Sequence, residues 1–266
     1  MFVCLSSFAF HNQSLPRRSK YKHLERSPFH CAATVQLATP DSCLVIHLAR
    51  RSGRHSKACI PILKAVLCDE QFVKAGCAVD EDLMSLYELW DGLDAKSRLD
   101  LGLLGAGTPN KQQQQQQQQR RFGLKTLSKG LLGVDLPKQH EITMSDWSVV
   151  PLTEAQIMYS ARDAWAGAAI AETLAAYDPD TFSHASLVST LPHCETPIAE
   201  LVSRQQRRDQ SKLQLGRIVA QYPDKSRMPR SIQAHVRELR ERINAPVMMR
   251  AEPRLVFLDV DPLSEC

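Results

Sequence analysis

Gly123-Leu124-Lys125-Thr126-Leu127, Leu131-Leu132-Gly133-Val134-Asp135-Leu136-Pro137-Lys138, Asp146-Trp147-Ser148, Pro151-Leu152-Thr153-Glu154-Ala155-Gln156 and Tyr159-Ser160-Ala161-Arg162-Asp163-Ala164-Trp165-Ala166 follow one another within the stretch Gly123–Gly167. Leu124–Leu132 carries apolar residues at helical spacing and stops at Gly133, the residue type that takes a left-handed φ after a helix. Thr153 followed three residues later by Gln156 is a capping-box pattern, and good helix formers continue to about Tyr177. On that second helix Tyr159 and Asp163 are four residues apart, so they project from one face, one turn from each other. A carboxylate there can hold a hard divalent cation through oxygen. A phenol one turn away can hydrogen-bond a metal-bound water or a phosphate oxygen. A Tyr-x3-Asp pair alone is commonly surface decoration, and the surrounding string gives this one its weight.

Upstream, Ala32–Ala38 and Cys43–Leu48 are short apolar runs separated by Thr39-Pro40-Asp41-Ser42, a turn-forming cluster, and read as a β-hairpin. Ile60–Leu67 has helical spacing, Phe72–Val79 is strand-like with Gly76 inside it, and Asp82–Trp90 returns to helical spacing. Leu99–Leu104 is a further strand candidate. It gives way to a Gly-rich turn and the polyglutamine tract Gln112–Gln119, a low-complexity surface insertion with no chemistry of its own. Strand and helix alternate, as in an α/β domain. Downstream, Pro197–Gln221 and Pro229–Asn244 read as arginine-rich amphipathic helices, and Ala245–Cys266 has no assignment.

The 266 residues suffice for one sizeable domain with extensions, and 43% hydrophobic with 23% charged residues is ordinary globular composition. Eight cysteines without a CxxC pair favour reduced, buried thiols and an intracellular setting, nuclear or cytoplasmic. Met1–Phe10 is apolar but lacks a basic leading segment and a small-residue cleavage site, so a signal peptide is not expected. No apolar run is long enough for a membrane span, so no membrane partner is expected. The net charge of +4 is uneven: Glu200–Arg254 holds thirteen Lys/Arg against six Asp/Glu, +7, leaving −3 for the rest. Such a basic tail can bind polyanions by counterion release, or it can be a pair of solvated, locally ion-paired helices that serve a protein partner.

The string Gly123–Gly167 resembles, in order and spacing, the C-terminal half of a 3′–5′ exonuclease domain of the DEDDy type, the RNase D and Werner-syndrome exonuclease group. Lys74-Ala75-Gly76-Cys77-Ala78-Val79-Asp80-Glu81-Asp82-Leu83 is similar to the second motif of that family, in which a glycine-containing strand delivers an Asp at the start of a helix. Thr34-Val35-Gln36-Leu37-Ala38-Thr39 resembles the strand after its first motif, so the resemblance covers roughly Ala32–Leu174. It implies an RNase H-like fold: a mixed sheet with antiparallel opening strands, flanked by helices. It further implies hydrolysis of DNA or RNA from the 3′ end by two metal ions, Mg²⁺ or Mn²⁺. Asp82 and Asp163 would be metal ligands, with Asp80 the lesser choice for Asp82, and Tyr159 would orient the attacking water. Lys125 and Arg162 are candidates to touch phosphate, or plain surface charges.

One part of the family pattern is missing. The first motif is an Asp-x-Glu on a strand before the Thr34 segment, yet the one acid before Asp41 is Glu25. The positional echo is Phe10-His11-Asn12-Gln13, with His11 and Gln13 where the acids would stand. Four carboxylates balance two dications, whereas Asp82 and Asp163 leave two positive charges unmatched. Two explanations stand open: an active exonuclease whose first strand has been lost or replaced, or a degenerate member that binds nucleic acid or protein without turnover. The expected organisation is a poorly matched segment 1–31, an exonuclease-like domain 32–177 with its insertion at 112–119, and a basic, mostly helical extension 178–266.

Overall fold

A computed structural model describes residues 2–9, 32–48, 54–87, 90, 92–103, 122–137, 140–177, 180 and 196–245. The polyglutamine tract, His11, Gln13 and the end of the chain after Ala245 lie outside the described residues. The sheet has five strands in the order β3-β2-β1-β4-β5, with β1 Phe2–Ala9, β2 Ala32–Ala38, β3 Cys43–His47, β4 Val73–Gly76 and β5 Arg98–Asp100. β1 runs antiparallel to β2 and parallel to β4, β2 is antiparallel to β3, and β4 is parallel to β5. The expected antiparallel opening of a mixed sheet is therefore present. The Thr39–Ser42 turn that closes the hairpin is held by the Thr39 amide donating to Ser42 O at 2.8 Å.

Helices cover both faces: α1 Arg54–Cys68, α2 Val79–Tyr87, α3 Leu124–Leu132, the short α4 His140–Thr143, α5 Glu154–Tyr177, α6 Ile198–Gln221 and α7 Arg230–Asn244. One core layer joins Val35 of β2 to Leu63 and Leu67 of α1, Leu83 and Leu86 of α2, and Ile198, Leu201 and Val202 of α6. The opposite layer joins Val73, Ala75 and Leu99 of the sheet to Leu127 of α3 and to Ile170, Ala171 and Leu174 of α5. Burying a Leu or Ile side chain stabilises a fold by about 1.5–3 kcal/mol, so the first turn of α6 is anchored as firmly as a helix of the sheet domain itself.

Local chemistry explains where the elements stop. Gly133 ends α3 at φ 66°, its amide donating to Ser128 O. β4 ends at Gly76, short of the expected Val79, because Ala78 takes φ 66° in a turn whose amide donates to Asp100 Oδ1 at 3.2 Å. The same carboxylate oxygen accepts from the Gly102 amide at 2.9 Å. That draws the chain into a 3₁₀ turn at Leu101–Leu103, so β5 is three residues long and starts one residue before the expected Leu99. Two cations sit side by side where β4 meets β5, Lys74 paired in register with Arg98. Lys74 is fully buried, its Nζ donating to Asp69 O at 2.8 Å. Burial, then the Arg98 charge, pull its pKa down to about 8.

Candidate active site

The loop before α5 is built to fix one turn of that helix. The Thr153 amide donates to Gln156 Oε1 at 2.9 Å and the Gln156 amide to Thr153 Oγ1 at 3.2 Å, the reciprocal pair of a capping box. Gln156 is buried and its Nε2 also donates to Ser145 Oγ and to Asp146 O, both at 3.0 Å, tying the 145–148 turn to the first turn of the helix. Trp147, 2% exposed, hangs from that turn, its indole N–H donating to Thr143 O at 3.2 Å. Its ring meets the Tyr159 ring at a centroid distance of 6.4 Å and a 54° tilt.

One helical turn from that contact the expected pair forms. Tyr159 and Asp163 are hydrogen-bonded side chain to side chain, and the Thr143 hydroxyl bonds the Tyr159 phenol. Burial raises the Asp163 carboxyl to about 6, an effect that the phenol's hydrogen bond partly offsets. The Tyr159 phenol is raised as well, first by burial and then by the Asp163 charge. A chain Thr143–Tyr159–Asp163 thus presents one oxygen acid, half out of solvent, whose ionisation is costly without a cation or donor beside it.

This end of α5 lies against the sheet because its inner face is small. Ala164 and Ala168 meet Ala38 of β2, and Ala166, Gly167 and Ala171 are buried beside them. Ala38 is the register partner of Cys4, Gln36 of Ser6 and Thr34 of Phe8. Directly opposed residues of antiparallel strands share a face. Positions 4, 6 and 8 of β1 therefore share the face on which Ala38 meets α5. On one side β4 pairs with β1, Phe2–Ala9, FVCLSSFA, with Val3 opposite Lys74 and Cys4 opposite Ala75. This strand contains no acid, and His11 and Gln13 lie outside the described residues.

Asp82 lies in the first turn of α2, half buried, with its amide donating to Ala78 O at 3.3 Å. Asp80, two residues before it, is 2% exposed and accepts from Arg98 Nε at 2.6 Å. Arg98 and Asp100 are positioning residues that sequence reading missed. They act across strands on the β4–α2 turn, and no local pattern marks them. Lys125 is engaged with Asp135 at 3.0 Å, and Arg162 is exposed on α5.

Among the described residues, the acids near α5 and α2 do not make up a cage for two divalent cations. Among the described residues no group of three or more His, Cys, Asp or Glu is placed to hold a metal ion. Asp82 and Asp163 supply two negative charges, and β1 supplies none.

A family model described as 3′–5′ exonuclease matches residues 22–176, more than half of the chain. Among curated relatives, a 3′–5′ exonuclease of Arabidopsis thaliana is 28% identical over 135 residues, covering 50% of this chain and 42% of its own length. The mouse bifunctional 3′–5′ exonuclease/ATP-dependent helicase WRN is 30% identical over 143 residues, 53% of this chain and 9% of that protein. Human exonuclease 3′–5′ domain-containing protein 2 is 28% identical over 130 residues, 49% and 20%. The chain thus spans less than half the length of each.

Solved structures share the fold. Escherichia coli RNase D, an exoribonuclease involved in structured RNA processing, superposes with a TM-score of 0.50 at 18% identity, covering 91% of this chain and 56% of that one. Trypanosoma brucei RNase D in complex with GMP gives 0.53 at 13% identity, covering 76% and 57%. With the family model matching residues 22–176, this chain belongs to the 3′–5′ exonuclease family.

Proposed function

We propose that the protein binds the 3′ ends of DNA or RNA at the site of Tyr159, Asp163 and Asp82, and that hydrolysis through two divalent cations is impaired in this chain. The observation that carries the reading is the contrast between helix α5 and strand β1. The family's third-motif pair is kept, hydrogen-bonded and held by a buried tryptophan. Strand β1, by contrast, offers no carboxylate. Two-metal hydrolysis needs a cation at each of the attacking and leaving oxygens. With two carboxylates, the charge to hold both is missing.

Binding needs less. The Tyr159 phenol can turn its one proton from Asp163 to a phosphate oxygen, a contact that requires no metal ion. A 3′-labelled oligonucleotide tests both halves of the proposal, with anisotropy reporting binding and gels reporting shortening in Mg²⁺ or Mn²⁺. The expected result is saturable binding that weakens when the 3′ hydroxyl is blocked by phosphate, with no shortening beyond that of Asp163→Ala. Shortening that Asp163→Ala abolishes would restore the reading of a working exonuclease. Absence of binding would end the nucleic-acid reading altogether.

A further inference from the structure

The α6–α7 pair sorts its charges by face. Val236 and Leu239 form the buried side of α7. Arg230, Gln233, Arg237, Arg240 and Asn244 recur at intervals of three and four residues and are all exposed, so they form one stripe on the solvent side. Glu238 lies off the stripe, bound by Arg242 at 2.6 Å and 3.4 Å from His235, and Glu241 borders it. Among the described residues Arg230, Arg237 and Arg240 enter no ion pair. Arg204, Lys212, Arg227 and Arg242 are each paired with an acid three or four residues away. The positive charge on α7 is therefore concentrated on a single face.

We infer that this α7 stripe binds the phosphate backbone of the nucleic acid whose 3′ end occupies the proposed site. The inference rests on that nucleic-acid reading and deepens it. Arg230 to Arg240 spans about 15 Å along the helix axis, comparable with about four phosphates of one strand at ~3.4 Å each. Arginine is the side chain best shaped to grip phosphate, by two parallel N–H···O bonds. α7 packs against α6, whose first turn is part of the sheet's core.

The test is the salt dependence of oligonucleotide binding by the full chain. The variant is Arg230→Gln/Arg237→Gln/Arg240→Gln, exposed substitutions that keep helix propensity. The control is Arg207→Gln/Arg217→Gln, which removes exposed charges from α6. Each lost phosphate contact flattens the log–log slope by about 0.7 for a single strand, so the triple variant should lose about 2 in slope. It should also bind roughly tenfold to a hundredfold more weakly at ~0.1 M salt, with melting unchanged. The control should keep the wild-type slope. An unchanged slope in the triple variant overturns the stripe and leaves the 3′-end site standing. An equal loss per charge in the control also overturns it, because net charge alone would then account for binding. No binding by the wild type removes both.

Discussion

Arg98 Nε donates to Asp80 Oδ1 at 2.6 Å with both side chains almost wholly out of solvent. The same guanidinium donates to Ala95 O and, at 2.7 Å, to Thr196 O just before α6. One buried cation therefore links the turn that carries Asp82 to the start of the C-terminal helices. It also commits Asp80 to the fold, so of the two candidates Asp80 and Asp82 the second is the one with an exposed edge.

Arg98→Met should destabilise the protein by about 3–5 kcal/mol, because it strands a buried carboxylate rather than merely deleting a contact. Arg98→Met/Asp80→Leu should recover most of that loss, since neither charge then has to be desolvated. Urea denaturation of the three proteins decides the matter. A single variant as stable as the double would mean that Asp80 is not dependent on Arg98.

Asp163 makes the metal-free protein sensitive to pH in a defined window. Its folded pKa is raised from 3.8 to about 6. Between those values the native state binds more protons than the unfolded state, so stability falls as pH rises from about 4 to 6 and is level above. Asp163→Asn should remove that slope and leave the variant the more stable protein at pH 7, by an amount of order 1–3 kcal/mol. Melting across pH 4–7 in the presence of a chelator, wild type against variant, reads the difference directly. Parallel curves would show that burial does not hold the carboxyl protonated.

Tyr159→Phe acts on the same window in the opposite sense. The phenol's hydrogen bond holds the Asp163 pKa below what burial alone would set. Removing it should shift the midpoint of the Asp163 titration upward, and the stability slope should extend beyond pH 6. The ring and its contact with Trp147 remain, so packing is spared. A carboxyl-selective NMR titration would register the shift. An unmoved midpoint would mean that the hydrogen bond contributes nothing to the ionisation of the pair.

Much of this is legible in the chain because it is encoded locally. Thr153 and Gln156 announce the start of α5, Gly133 marks the end of α3, and the i, i+4 spacing of Tyr159 and Asp163 by itself puts them on one face of their helix. The boundaries of α6 and α7 are visible for the same reason, in amphipathic runs each opened by a proline. What escapes is set by partners distant in sequence. Arg98 finds Asp80 across strands and Thr196 from another segment. The shortness of β5 depends on Asp100 turning back onto Ala78 and Gly102. β1 is an apolar run without a turn signal or clear alternation, and only its pairing with β2 and β4 shows that it fills the middle of the sheet.

That pairing offers two positions at which the role of the missing charge can be tested. Positions 6 and 8, Ser6 and Phe8, share the register face of Ala38, which meets α5 near Asp163, and they are two apart on a strand, the spacing at which positions fall on one face. Ser6→Asp/Phe8→Glu would add two carboxylates on that face and bring the site's charge to the four that balance two dications. If impairment stems from their absence, this double variant should shorten a 3′-labelled oligonucleotide in Mn²⁺ while the chain as it stands does not. Several kcal/mol of transition-state charge stabilisation is the usual worth of such ions, so a gain of at least about a hundredfold is expected. The same change in an Asp163→Ala background should give none, which separates a rebuilt site from a contaminating nuclease. Thermal melting guards against a variant that fails to fold, since a charge on a central strand is tolerated only where water or a cation reaches it. A folded double variant that binds the oligonucleotide yet leaves it intact would show that the loss of function lies elsewhere than in β1.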